Sequence, residues 1–239
     1  MNAPHRLPIT TEAEVDITTE DILWYNICYY ITKACMTLLY DIRSIDAWQV
    51  PATGPVLLLP NHTSFYDPPA VGITMQRRSF YLARKTLFKN RFFSKLIKSI
   101  NAIPIDQRSA GMDGIRHSIT LLESQKALVI FPEGTRTMDG EMVAFQPGVH
   151  LLLRRCPVPV VPVGIAGAHE ALPMGSGLPR FSPLGLRHTK ANIVVSYGAP
   201  VDGAELAAMP RKEALRRMES LVAAQVTRAR KLQQSRRKI

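Results

Sequence analysis

Cysteine is scarce in this sequence of 239 residues, with only Cys28, Cys35 and Cys156. So sparse and odd a count excludes a disulfide-built secreted scaffold and suits a reducing compartment. Acidic side chains are also few, 19 against 30 lysines and arginines, which leaves a net charge of +11. The deficit is local: residues 1–60 carry three basic and seven acidic side chains, residues 61–239 carry 27 and 12. That imbalance asks for an anionic partner: nucleic acid, a phospholipid surface or a phosphorylated substrate. No recognised nucleic-acid motif accompanies the charge, so no nucleic-acid partner is expected. Walker loops, dinucleotide fingerprints, Gly-x-Ser-x-Gly and His-Glu-x-x-His are absent, which removes several nucleotide and hydrolase chemistries. The histidines do not fall at ligand spacings with the cysteines, so neither a metal nor a cofactor is expected. Residues 1–21 hold one arginine, Arg6, and five acids, the reverse of a secretory signal.

What is present reads as a globular chain, 46% hydrophobic and 21% charged. Its most apolar stretch is Ile22–Tyr40, ILWYNICYYITKACMTLLY, charged only at Lys33. A spanning helix wants about 20 mostly apolar residues. Asn26, Thr32, Lys33 and Thr37 interrupt this one, and its tyrosines and Trp24 suit the headgroup layer. The reading is a membrane-associated helix, dipping into or lying on a bilayer or crossing it; the competing reading buries it against the domain. Residues 1–50 are taken as an N-terminal arm plus this helix, and 51–239 as the main domain.

Beyond residue 50, short apolar runs alternate with helical patterns. The expected strands are Val56–Leu59, Ser79–Ala83, Ala102–Ile105, Ala127–Phe131, Val158–Gly164 and Asn192–Tyr197. The expected helices are Pro68–Met75, Thr86–Ile100, Met112–Ser124, Pro147–Arg155 and Glu205–Arg230. Strands that are apolar throughout and alternate with helices imply an α/β fold, a central mostly parallel or mixed sheet with helices on both faces. Pro173–Arg187, rich in glycine and proline, reads as a surface loop. Basic residues concentrate in Gln76–Arg108, where a phenylalanine-rich helical face suits a membrane surface or a packed sheet, and again in Arg211–Ile239.

Chemistry gathers just after two of the strands, where open α/β sheets place their sites. Asn61-His62-Thr63-Ser64-Phe65-Tyr66-Asp67 follows the strand Val56–Leu59. A histidine there can act as a general base near neutral pH, and a carboxylate five residues on can fix its tautomer. The competing reading makes Asp67 an ordinary helix N-cap ahead of Pro68. Phe131-Pro132-Glu133-Gly134-Thr135-Arg136 follows Ala127–Phe131, with an arginine suited to phosphate. Ile103–Arg108 ends in another arginine, and Val158–Val163 carries Pro159 and Pro162.

In this order and spacing, Asn-His-x-x-x-x-Asp, a strand ending in arginine, Phe-Pro-Glu-Gly-Thr-Arg and Val-Pro-x-x-Pro resemble the motif set of the glycerolipid acyltransferases, nearest the 1-acyl-glycerol-3-phosphate (lysophosphatidic acid) acyltransferases. The resemblance implies His62 as general base and Asp67 as its orienting partner. It implies substrate contacts from Asn61, Ser64, Arg108, Glu133, Gly134, Thr135, Arg136, Pro159 and Pro162, with Arg108 and Arg136 on the phosphate. It implies transfer of a fatty acyl group from acyl-CoA or acyl carrier protein to a lysolipid hydroxyl, at the cytoplasmic face of the inner or plasma membrane. Gln146 stands where many relatives have a lysine, and Ile103-Pro104-Ile105 replaces a version containing an aromatic residue. Another lysophospholipid or a lyso-amino-acid lipid therefore stays open as acceptor. So does an idle membrane-binding protein on the same fold.

Overall fold

A computed structural model describes residues 19–105, 112–175, 178–184 and 189–236, without the side chains of residues 19–22 and of Phe92, Phe93, Leu96 and Ser99. Its centre is a seven-stranded sheet in the order β1-β7-β6-β2-β5-β3-β4. The strands are β1 (Arg43–Ile45), β2 (Val56–Pro60), β3 (Ser79–Arg84), β4 (Ala102–Ile105), β5 (Ala127–Val129), β6 (Val160–Ala166) and β7 (Val194–Tyr197). All neighbours pair in parallel except β6 and β7, so the sheet is mixed and mostly parallel.

Side chains of β2 alternate between two cores. Val56 and Leu58 face α1 (Thr19–Tyr40) and α2 (Asp67–Thr74), through Met36, Tyr40, Ala70 and Val71. Leu57 and Leu59 face α4 (Met112–Glu123), α5 (Gly148–Arg155), α7 (Gly203–Ala208) and α8 (Arg211–Arg236), through Leu122, Leu152, Leu206 and Met218. Both faces of β2 are apolar because both are covered. Two shorter helices, α3 (Arg91–Ser99) and α6 (Ala168–Ala171), add Ile97, Ala168 and Ala171 to the α1 side.

Three expectations change. Within the expected N-terminal segment 1–50, the described residues 19–50 do not stand apart, because β1 pairs with β7 and Met36 and Tyr40 belong to the core. The helix expected over Glu205–Arg230 is two, α7 and α8, parted at Met209-Pro210 because proline disfavours helical backbone in the residue before it. Thr86–Ile100 is likewise a 3₁₀ turn, Lys85–Phe88, followed by α3.

Helix α1 is apolar on two sides. Its inner side buries Cys28, Met36 and Tyr40. Its outer side leaves Leu23, Ile27, Tyr30, Ile31 and Leu38 exposed, a spacing that puts all five on one helical stripe. Lys95 stands 5.4 Å from the Trp24 ring and Arg78 4.4 Å from that of Tyr25. Among the described residues no helix is long and apolar enough to cross a membrane.

Helix α8 lies directly on β6. A methyl group at Gly164 would sit 2.1 Å from the backbone carbon of Gln225 and the backbone nitrogen of Val226. Gly164→Ala should therefore cost about 3 kcal/mol in urea unfolding. Gly148→Ala, where no atom lies within 4 Å, should stay within about 0.5 kcal/mol of the parent.

Candidate active site

The site lies where two adjacent parallel strands send their chains to opposite faces. From β2 the chain turns toward α2, and from β5 it turns toward α5 on the other side. Divergence of this kind opens a crevice at the carboxyl ends of the strands.

The loop leaving β2 is organised by one carboxylate oxygen. Asp67 Oδ2 accepts from the N–H of Thr63 at 2.6 Å and of Ser64 at 2.7 Å, and from His62 Nδ1 at 2.9 Å. Asp67 is fully buried. It is not the N-cap: that position is Tyr66, and Asp67 is the first helical residue, ahead of Pro68 and Pro69. Its side chain turns back to the loop rather than forward to the helix. A carboxylate only accepts, so Nδ1 carries the proton and Nε2 keeps its lone pair. The imidazole stacks on Phe131, ring centroids 4.1 Å apart, and its side chain retains 18% exposure.

Glu133 and Asn61 tie this loop to its neighbours. Glu133 Oε1 accepts from the His62 N–H at 2.7 Å and Oε2 from that of Val143 at 2.9 Å. Burial pushes the Glu133 carboxyl from its ordinary 4.5 up to about 7, against those two donors and with Asp67 adding to the rise. Asn61 extends the β2–β6 ladder past its end, donating to Ile165 O at 3.1 Å and accepting from Ile165 N–H at 2.7 Å. Ser64 is buried, and its Oγ donates to Leu172 O at 2.9 Å.

Arg136 provides the charge. Its guanidinium lies 3.4 Å from the centroid of the Phe65 ring. Its buried Nη1 has no hydrogen-bond partner among the described residues. Burial and the neighbouring Arg84 cation lower its pKa, while Asp67 opposes that shift. Gly134 turns with φ +72°, a left-handed conformation that favours glycine. A methyl on it would meet the Gln146 side chain at 3.2 Å, which puts Gln146 at the rim of the same loop. Thr135 is exposed, and its hydroxyl bonds the Arg136 carbonyl.

The expected substrate contacts thus divide. Arg136, Gly134 and Thr135 form the loop beside His62. Asn61, Ser64 and Glu133 are buried braces whose polar atoms serve the backbone. Pro159 stands at the opposite end of the strands from His62. It stands six residues before Ile165, next to Val160, which pairs with Leu57 near the start of β2. At about 3.3 Å per residue that is roughly 20 Å from the His62 end. Pro162 is buried in mid-sheet, with its carbonyl accepting from Gly198 N–H at 2.9 Å. Arg108 lies outside the described residues. Arg84, at the carboxyl end of β3, was not singled out, because one arginine among nine basic residues in Gln76–Arg108 carries no local mark.

A family model described as Acyltransferase matches residues 41–166, which includes every element of this site. The 1-acyl-sn-glycerol-3-phosphate acyltransferase of Bacillus subtilis (strain 168) is 27% identical over 195 residues, 81% of this chain and 90% of that protein. The chloroplastic 1-acyl-sn-glycerol-3-phosphate acyltransferase BAT2 of Brassica napus is 26% identical over 75% of this chain and 50% of its own length. In fold, the chain resembles the crystal structure of the 1-acyl-sn-glycerophosphate acyltransferase PlsC from Thermotoga maritima, with a TM-score of 0.70 and 22% identity over 85% of this chain and 78% of that one.

The raised Glu133 pKa has a signed consequence. A folded-state value above the unfolded one stabilises the fold fully below about pH 4.5 and loses that contribution as pH rises to about 7. Glu133→Gln removes this titration. The parent's stability advantage over the variant should therefore shrink between pH 4.5 and 7 in urea unfolding, and a constant difference would contradict the assignment.

Proposed function

Since this chain belongs to the acyltransferase family, we propose that it moves a fatty acyl group from a thioester, acyl-CoA or acyl carrier protein, to the free hydroxyl of 1-acyl-glycerol-3-phosphate at a lipid surface. The observation that carries the reading is the 2.9 Å contact of His62 Nδ1 with a buried Asp67, set beside a partly exposed arginine with an unpartnered nitrogen.

In this mechanism Nε2 of His62 takes the acceptor's hydroxyl proton, and the oxygen attacks the thioester carbonyl carbon. Asp67 stabilises the imidazolium that forms and holds the ring in place. The tetrahedral adduct collapses with loss of the thiolate, which recovers the proton from Nε2. No acyl-enzyme forms, because the acceptor supplies the nucleophile. Arg136, with Arg84 behind it, holds the acceptor phosphate, so much of the rate comes from positioning. Phe65 stacks on the planar guanidinium and so fixes its orientation in the loop.

The lipid surface is supported by the outer stripe of α1. Unpaired apolar faces of this length are uncommon on soluble monomers. Cations beside tryptophan and tyrosine suit an anionic headgroup layer. With a water-soluble thioester donor arriving from the side of the reducing compartment that the sparse cysteines suit, this reading puts the chain on the cytoplasmic leaflet. Gln146 at the rim of the Gly134 loop supports one second reading, a different lysolipid acceptor, because an amide in place of lysine offers the phosphate no charge.

Thiol release from palmitoyl-CoA and palmitoyl carrier protein, across a panel of lysolipids, tests both readings. Lysophosphatidic acid should be the accepted substrate. His62→Ala should cut the rate by about a thousandfold while the variant still unfolds in one cooperative transition. Turnover retained in that variant would remove His62 from the chemistry. Turnover with another lysolipid alone would move the function to the second reading.

Arg136→Ala should raise the KM for the phosphorylated acceptor by about 10- to 100-fold with little effect on kcat. Phe65→Leu should raise it about 3- to 10-fold, with recovery in Phe65→Tyr. Equal effects on a neutral acceptor would detach both residues from phosphate.

A further inference from the structure

The proline- and glycine-rich stretch after α6 takes no part in the reading above, yet its described portion, residues 178–184, holds apolar side chains in water. Leu178 is 78% exposed, Phe181 48% and Leu184 41%. The backbone that carries them is firmly tied. Ser182 N–H donates to Leu39 O and Leu184 N–H to Leu38 O, both at 2.9 Å, so the segment runs along the last turn of α1. Arg180 N–H donates to Ala171 O at 2.7 Å. Ser182 is buried, and its Oγ accepts from Thr189 N–H at 3.0 Å. The Phe181 ring lies 5.7 Å from that of Tyr40. A segment this well anchored has no local need to expose leucine and phenylalanine. Beside it Leu38 and Leu39 are also exposed, at 58% and 41%, so loop and helix form one continuous apolar surface.

Its electrostatics select the occupant. Residues 171–201 contain no aspartate or glutamate, while Arg180, Arg187 and Lys190 are basic. Arg180 is exposed between Leu178 and Phe181. Apolar tips interleaved with cations match the boundary of an anionic bilayer. The surface also begins where the outer stripe of α1 ends, at Leu38. We propose that residues 178–184 form a second membrane contact, entering the headgroup layer together with α1 and fixing the tilt at which the site mouth meets the bilayer. This inference rests on the lipid-surface reading of α1 given above.

The test places a reporter at the tip. In a Trp24→Phe/Trp48→Phe background, Leu178→Trp makes the sole tryptophan. The vesicles are phosphatidylglycerol mixed with phosphatidylcholine brominated in its acyl chains. The tryptophan should shift to the blue and lose about half its emission. In the otherwise unaltered chain, Leu178→Ser/Leu184→Ser should weaken vesicle partitioning about tenfold, with an unchanged thermal midpoint. Cosedimentation with no quenching at position 178 overturns the second contact and leaves the α1 reading standing. Failure of the unaltered chain to cosediment overturns both. A dimer in solution that Leu178→Ser/Leu184→Ser dissolves would assign the patch to a second copy of the chain and overturn the lipid proposal.

Discussion

One oxygen atom organises the candidate active site. Asp67 Oδ2 collects two backbone amides and an imidazole within 2.9 Å. A carboxylate this deeply buried has to be matched by donors, because its desolvation is not otherwise compensated. The match falls on Oδ2 alone, since buried Oδ1 has no partner among the described residues, and it is local in sequence, three to five residues back, so meeting it bends the loop into a single shape. Asp67 also opens α2, where the helix dipole favours an anion. The same atom therefore fixes the backbone of the loop, the rotation of the His62 ring and the nitrogen that stays free. Orientation of the base and folding of the loop are one event.

Side chains take over where the sheet ends. Beyond Pro60, β2 has no strand partner, and the crevice is open because the chain departs from β2 and β5 toward opposite faces. Asn61 reproduces a rung of ladder with Ile165, and Glu133 reaches across from the β5 loop to the His62 amide. Two polar residues thus brace a gap that parallel strands cannot close. The Glu133 carboxyl is held up to about 7 by burial, so part of this brace carries a proton near neutrality. Arg136 is held differently, against the flat ring of Phe65, with part of its hydrogen-bonding capacity unused.

Much of this was legible in the sequence, and the failures share a cause. Apolar runs such as Val56–Leu59 marked the parallel strands, because burial on both faces erases the period of two. The pairing of His62 with Asp67 was legible because five residues of loop suffice to return. Asn61 and Glu133 were not legible as braces, since their partners lie 104 and 71 residues away. A polar residue in a loop looks the same whether it serves a substrate or a distant amide. The edge strand β1, Arg-Ser-Ile, has no apolar run of its own and exists through its pairing with β7. Pro159 shows that a motif gives order along the chain, while position along a strand decides which edge a residue reaches. The break at Met209-Pro210 is local and needs no distant partner, because proline disfavours helical backbone in the residue before it.

Helix α1 shows why amphipathicity alone misjudges a surface element. Its apolar residues surround the axis, so no single side stands out, yet the two sides meet different surroundings. The inner side is core. Its last turn reaches the site directly, since Tyr40 Oη lies 2.7 Å from Tyr66 Oη, one residue from Asp67. The outer stripe of α1 and the loop after β2 are therefore linked through one direct contact. On the proposed function, with the acceptor's acyl chain in the bilayer, the tilt of α1 sets the height and direction from which the hydroxyl approaches Nε2. Orientation of the His62 ring by Asp67 and seating of the molecule by α1 are then joined through the Tyr40–Tyr66 contact.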